Sequence, residues 1–169
     1  LKDYPKLFAG QPEEAAAVAL AKKVTHIAEI VARTTSPEQG THISRPIKKV
    51  TYHSSCHLRA AGVTKEPRSI LAGLPGVDYV EMVDADRCAG GAGTYVIKDY
   101  DTSQAVFERK RRAIEQSGAE VVATSCPACM IQLKNGLRKP TEVKHIAQLV
   151  QESLAAQERA AAGGEPASP

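Results

Sequence analysis

Three short runs rich in β-branched and aromatic residues alternate with helix-forming stretches: Lys48-Lys49-Val50-Thr51-Tyr52-His53, Asp78-Tyr79-Val80-Glu81-Met82-Val83 and Glu120-Val121-Val122-Ala123-Thr124. Strands separated by helices do not pair as hairpins. They line up in parallel, and the helices cover the faces of the sheet. The expected fold is α/β, a Rossmann-like parallel sheet flanked by helices. Each run also leads into a cysteine: Cys56, Cys88 and Cys126. Ligands of such sheets gather outside the carboxyl ends of the strands, so three separate segments are expected to converge on one edge.

Local signals fill in the rest. Pro12, Glu13 and Glu14 open a helix expected to run to about Ala32. Pro75-Gly76 reads as a turn, and a long helix from about Ser103 to Ser117 ends on Gly118, a left-handed cap. Thr141 to Lys144 is a short strand, followed by a closing helix from Ile146. The basic run Arg109-Lys110-Arg111-Arg112 falls in the long helix and reads as a solvated face. The organisation expected is an N-terminal helical segment (1–35), a linker (36–47), the cysteine-bearing domain (48–154) and a disordered tail (155–169) rich in Ala, Gly and Pro.

An internal echo qualifies the first of these. Val24-Thr25-His26-Ile27-Ala28-Glu29-Ile30-Val31 matches Val143-Lys144-His145-Ile146-Ala147-Gln148-Leu149-Val150 at most positions, and the chain opens without methionine. Residues 1 to about 35 are accordingly expected to be the closing segment of an earlier copy of the domain, or a helix packed on this one.

Composition narrows the function classes. With 169 residues, 43% hydrophobic and 24% charged, the bulk of the chain is globular rather than disordered. A net charge of +3 with only 4% aromatics and no Trp gives neither a basic stripe nor a stacking platform, so no nucleic acid is expected. No apolar run approaches the roughly 20 residues of a membrane span, and Leu1 to Phe8 lacks the apolar stretch of a signal peptide. The expected compartment is the cytoplasm, where cysteines stay reduced. No catalytic triad, H-E-x-x-H helix or Walker loop is present.

Cys56, Cys88, Cys126 and Cys129 follow the spacing Cys-x31-Cys-x37-Cys-x2-Cys. Cys-x-x-Cys lets two sulfurs reach one centre without strain, and four thiolates suffice for one [4Fe–4S] cluster or one tetrahedral Zn. Isolated cysteines are usually small buried hydrophobes, but these lie in Ser54-Ser55-Cys56-His57, Arg87-Cys88-Ala89-Gly90-Gly91 and Ser125-Cys126-Pro127-Ala128-Cys129, which are polar or turn-like. Three readings stay open: an iron–sulfur electron-transfer site, a structural zinc docking domain, and a thiol–disulfide oxidoreductase using Cys126 and Cys129. Around them, His57 is a hydrogen-bond donor to a cluster sulfur or a helix cap. Gly90, Gly91 and Gly93 let backbone N–H groups approach sulfide or an anion. Thr94 and Tyr95 are rim or core residues, His53 is structural, and His26 and His145 are satisfied structural histidines.

The motifs His53-Ser54-Ser55-Cys56-His57-Leu58, Asp86-Arg87-Cys88-Ala89-Gly90-Gly91-Ala92-Gly93-Thr94-Tyr95 and Cys126-Pro127-Ala128-Cys129-Met130-Ile131-Gln132-Leu133 resemble the cysteine-rich CCG domain. That domain occurs as a tandem pair in heterodisulfide reductase and in the iron–sulfur subunits of glycolate oxidase and lactate-utilisation proteins. Leu1-Lys2-Asp3-Tyr4 resembles the stretch after the first such domain of the glycolate oxidase subunits, and His145-Ile146-Ala147 resembles their closing helix. The resemblance implies a domain that binds an iron–sulfur cluster through the four cysteines. It would pass electrons between an FAD-binding 2-hydroxyacid (glycolate or lactate) dehydrogenase subunit and a further acceptor, with any membrane association peripheral and through partners. The family's Cys-Cys-Gly is here Cys88-Ala89-Gly90, so four thiolates stand where the double cluster of heterodisulfide reductase uses five. That departure points to a cubane or zinc, and a cysteine restored at position 89 is expected to permit a five-cysteine site.

Overall fold

A computed structural model describes residues 1–34, 48–137 and 140–161. Among them, four strands form one all-parallel sheet: β1 (Lys48–His53), β2 (Val77–Tyr79), β3 (Val121–Thr124) and β4 (Glu142–His145), in the order β2-β1-β3-β4. The register sets Val50 beside Val121 and His53 beside Thr124, and Val122 beside Val143. The expected Rossmann-like α/β arrangement is what the chain forms. The second strand is shorter than the expected Asp78–Val83. It sits at the sheet edge with only β1 to pair with, and leaves it after the Val80 N–H donates to the Val50 carbonyl.

Side-chain alternation splits the core into two layers. Val50, Tyr52, Val121 and Ala123 face α3 (Ile27–Thr34), α5 (Glu66–Gly73) and α9 (Ile146–Ala161), where Ala28, Ile70, Leu71, Ile146 and Leu149 close the layer. On the other face Val122 packs with Phe107, Ala113 and Ile114 of α7 (Tyr100–Ser117) and Leu133 of α8 (Pro127–Gly136). The helix α7 ends on Gly118 at φ +64, the left-handed cap its sequence calls for. Within its basic run, Arg111 and Arg112 do form ion pairs with Glu108 at the surface. Lys110 does not share that face: it is completely buried, three residues after Phe107 and four before Ile114 on the apolar stripe.

The single N-terminal helix expected from Pro12 to Ala32 is instead two, α2 (Glu14–Lys23) and α3, after a short α1 (Tyr4–Leu7). The break lies at Val24-Thr25-His26, where the Glu29 carboxylate accepts the His26 N–H at 2.7 Å and His26 Nδ1 accepts the Ala28 N–H at 3.1 Å. The echoed segment builds the same cap. Gln148 Oε1 accepts the His145 N–H at 2.8 Å, and His145 Nδ1 accepts the Ala147 N–H at 3.2 Å. Both histidines are satisfied, as expected. Their helices differ in burial: Ile146 and Leu149 are 1% and 4% exposed, while the matching Ile27 and Ile30 are 41% and 44% exposed. The helix α3 packs through Ala28 against α5 and α9. Helix α9 continues to Ala161, into the segment expected to be tail; the expected linker and residues 162–169 lie outside the described residues.

Candidate metal centre

The strand order reverses between β1 and β3, and the crevice outside such a reversal is where open α/β sheets bind their ligands. Cys56 follows β1 and opens α4 (Cys56–Ala60), with the Ser55 hydroxyl capping that turn by accepting the Leu58 N–H. Cys126 follows β3 as the N-cap of α8, and Cys129 lies in the first turn of that helix. Tyr52 and Ser125, on the adjacent strand ends, are joined through their hydroxyls at 3.4 Å. The third arm is the loop after β2, which brings Cys88 and the glycines before α6 (Tyr95–Lys98).

All four cysteines are free thiols, Cys56 and Cys88 exposed and Cys126 and Cys129 half-buried. Burial pushes the Cys129 thiol above its ordinary value; neighbouring Cys126, by charge and hydrogen bond, and then the charges of Cys56 and Cys88 push it further. Of the groups that shift this thiol, three are the other cysteines, one from each of the other arms and one from its own. The direction is opposite to the depressed pKa by which a redox dithiol activates its sulfur. As placed, no three His, Cys, Asp or Glu side chains among the described residues close on one point as metal ligands do. The donor chemistry nonetheless fits a thiophilic metal or an iron–sulfur cluster: four free cysteine sulfurs on the segments that follow β1, β2 and β3.

The Cys88 arm is held in detail. Gly90 takes φ +78, and a Cβ on it would lie 2.5 Å from the Ser103 carbonyl oxygen; one on Gly91 would lie 2.8 Å from Cβ of Gln132. The loop therefore needs glycine to approach α7 and α8 this closely. The Gly90 N–H donates to Cys88 Sγ at 3.2 Å. The Ser103 hydroxyl donates to the Gly90 carbonyl at 2.9 Å and accepts from Gln132 Nε2 at 3.3 Å, so the helix carrying Cys129 is tied to the Cys88 arm. Gly93, Thr94 and Tyr95 are exposed, and Thr94 is the N-cap of α6 without a side-chain cap hydrogen bond.

The histidines fall in three places. His57 is exposed beside Cys56. His26, from the N-terminal segment, reaches the main chain of Ser125, immediately before Cys126; burial, the larger effect, lowers its pKa against that hydrogen bond. His53 is buried with neither ring nitrogen hydrogen-bonded, on the same sheet face as the equally unpartnered hydroxyls of Thr51 and Thr124. Burial, aided by the charges of Lys110 and Arg59, brings its pKa down to about 3 and keeps the ring neutral. Sequence reasoning gives no role to Ser103 or Gln132 and reads Lys110 as part of a solvated face. Lys110 and Ser103 share the face of Phe107, a helical spacing that carried the signal.

The profile of the cysteine-rich domain, CCG, matches residues 50–134, which takes in every one of these thiols. The chain belongs to the CCG cysteine-rich domain family. It is 34% identical over 155 residues to lactate utilization protein A of Lysinibacillus sphaericus, covering 88% of this chain and 67% of that protein. It is 30% identical to lactate utilization protein A of Oceanobacillus iheyensis, with 89% and 63% covered. It is 29% identical to the probable glycolate oxidase iron-sulfur subunit of Bacillus subtilis, with 90% and 36% covered. The chain thus spans about two thirds of the lactate utilization proteins and about a third of the glycolate oxidase subunit. At the second cysteine of the CCG signature this chain has Ala89, which is 1% exposed and packed among Met82, Ala85 and Phe107 rather than at the thiol edge. Among the described residues, no helix is long and apolar enough to cross a membrane.

Proposed function

We propose that this CCG domain binds one [4Fe–4S] cluster through Cys56, Cys88, Cys126 and Cys129 and serves as an electron-transfer domain. The observation that carries the reading is the placement of four free cysteines on the segments that follow β1, β2 and β3, beside the reversal point of the sheet, in a chain whose relatives include a named iron-sulfur subunit. When bound, the cluster supplies a one-electron carrier whose potential follows its burial and the hydrogen bonds to its sulfurs. Cys126 at the N-cap and Cys129 in the first turn of α8 offer two sulfurs from one helix end. Gly90 donates its N–H to the Cys88 sulfur, and exposed His57 stands beside Cys56 to donate another. With Gly91 packed on Gln132, the Cys88 arm and α8 keep a fixed separation.

On this reading the domain works in the cytoplasm. It carries electrons from an FAD-binding 2-hydroxyacid dehydrogenase subunit to a further acceptor, and residues 1–35 close an earlier copy of the same domain. Support for the last point is the repeated cap at His26 and His145, with the open apolar face of α3. The deciding experiment measures iron, acid-labile sulfide and zinc in anaerobically purified protein, with a visible spectrum on the same sample. About four irons and four sulfides per chain are expected of a cubane. One zinc without iron would overturn the electron-transfer role and leave a docking module.

A further inference from the structure

Lys110 is a charged residue on the apolar stripe of α7, fully buried, where Met or Leu would fill the same volume. A buried ammonium is tolerated only when its donors are satisfied. Here Nζ donates to the Asp84 carbonyl at 2.6 Å and the Ala85 carbonyl at 3.0 Å, and lies 3.8 Å from Met82 Sδ. These acceptors all belong to the chain that leads from β2 to Cys88. Asp84 adopts φ +55, a left-handed backbone that a non-glycine residue keeps only when its surroundings impose it. The Ala85 carbonyl also accepts the Ser54 N–H at 3.2 Å, so Lys110 and the end of β1 grip the loop at the same place.

The neighbouring acids do not hydrogen-bond this ammonium. Asp84 pairs with Arg87 at 2.9 Å and Asp86 with Arg68 at 3.2 Å, while Arg59 donates to the Asp86 carbonyl. Around Lys110 the charges of Asp84 and Asp86 are thus set against those of Arg87 and Arg59, with His53 neutral. Burial lowers the pKa of Lys110 to about 8, so below that pH the ammonium places a positive charge behind the Cys88 arm, in an interior where Coulomb interactions reach further than in water.

We propose that Lys110 is the positioning residue of the Cys88 arm, its ammonium fixing the Asp84 and Ala85 carbonyls and its charge raising the reduction potential of the centre held at the thiol edge. The second half rests on the iron–sulfur reading above; the first half does not. Two variants separate the effects: K110M removes donor and charge, and K110Q keeps a donor without charge.

In metal-free protein, trypsin cleavage after Arg87 is expected to be about tenfold faster in K110M than in wild type, and an unchanged rate would overturn the positioning role. In iron-loaded protein below about pH 7, K110M and K110Q are expected to have midpoint potentials lower by about 59 mV, a tenfold shift for one electron. Equal potentials in K110Q and wild type would overturn the charge effect. Wild-type protein without iron but with a protected arm would refute the iron–sulfur reading and the charge effect, and leave the positioning role standing.

Discussion

The ring of Phe107 lies directly on the bare α-carbon of Gly136: a Cβ built there would come within 2.5 Å of Cδ1 and 2.7 Å of Cζ, and closer still to Cε1. Phe107 is buried between α7 and α8, so the absence of a side chain at Gly136 sets how near the two helices come. Gly136→Ala should therefore overpack this contact and destabilise the protein by about 1–3 kcal/mol, read from urea unfolding.

The two echoed helices give a paired test. Ile146→Ala removes a side chain 1% exposed in the layer against β1 and β3, with an expected loss of about 2–5 kcal/mol. Ile27→Ala, at the matching position 41% exposed, should lose less than about 1 kcal/mol in this chain. Comparable shifts in Tm for the two variants would mean that the face of Ile27 is covered in solution.

His53 predicts a pH dependence. Its folded pKa of about 3 lies below the ordinary 6.5, so between these values the unfolded chain binds a proton that the folded chain does not. Stability then falls as pH drops through that window. Carboxylates titrate there too, so the measure is a difference: His53→Leu should have a flatter stability profile than wild type between about pH 3 and 6.5. Parallel profiles would show that the ring is not held neutral.

Each of Cys56→Ser, Cys88→Ser, Cys126→Ser and Cys129→Ser is expected to lower iron and sulfide content well below the wild-type level. Full occupancy in all four would refute the ligand set. Ala89→Cys is expected to leave metal content and visible spectrum unchanged, because position 89 faces Met82 and Phe107 in the core. A new spectrum would show that the arm turns over to present a fifth thiol.

The parallel sheet and the thiol edge were legible in the sequence because both rest on local regularities: strand-forming runs, helices between them, and a cysteine after each run. What was not legible depends on tertiary partners. The Ala-rich stretch from Glu14 reads as continuous helix, and only the His26–Glu29 cap interrupts it. The run Asp78–Val83 has strand composition throughout, but as an edge strand with one neighbour it keeps pairing only through Tyr79. Lys110 was misread by residue type. Its charge suggested water, while its place between Phe107 and Ile114 put it inside. Ala89 was read as a vacated ligand position because the motif fixes order in sequence, not the direction a side chain faces.

Ser103, Phe107 and Lys110 lie on one face of α7, the outer two gripping the Cys88 arm and the middle one packing against α8. The arm thus shares its footing with the core helix α7, alongside its contacts with Ser54, Arg59 and Arg68. Heating should therefore not release Cys88 first and melt the sheet later; arm and core should come apart in one cooperative step, and the geometry of the thiol edge should persist unchanged up to the temperature at which the whole domain is lost.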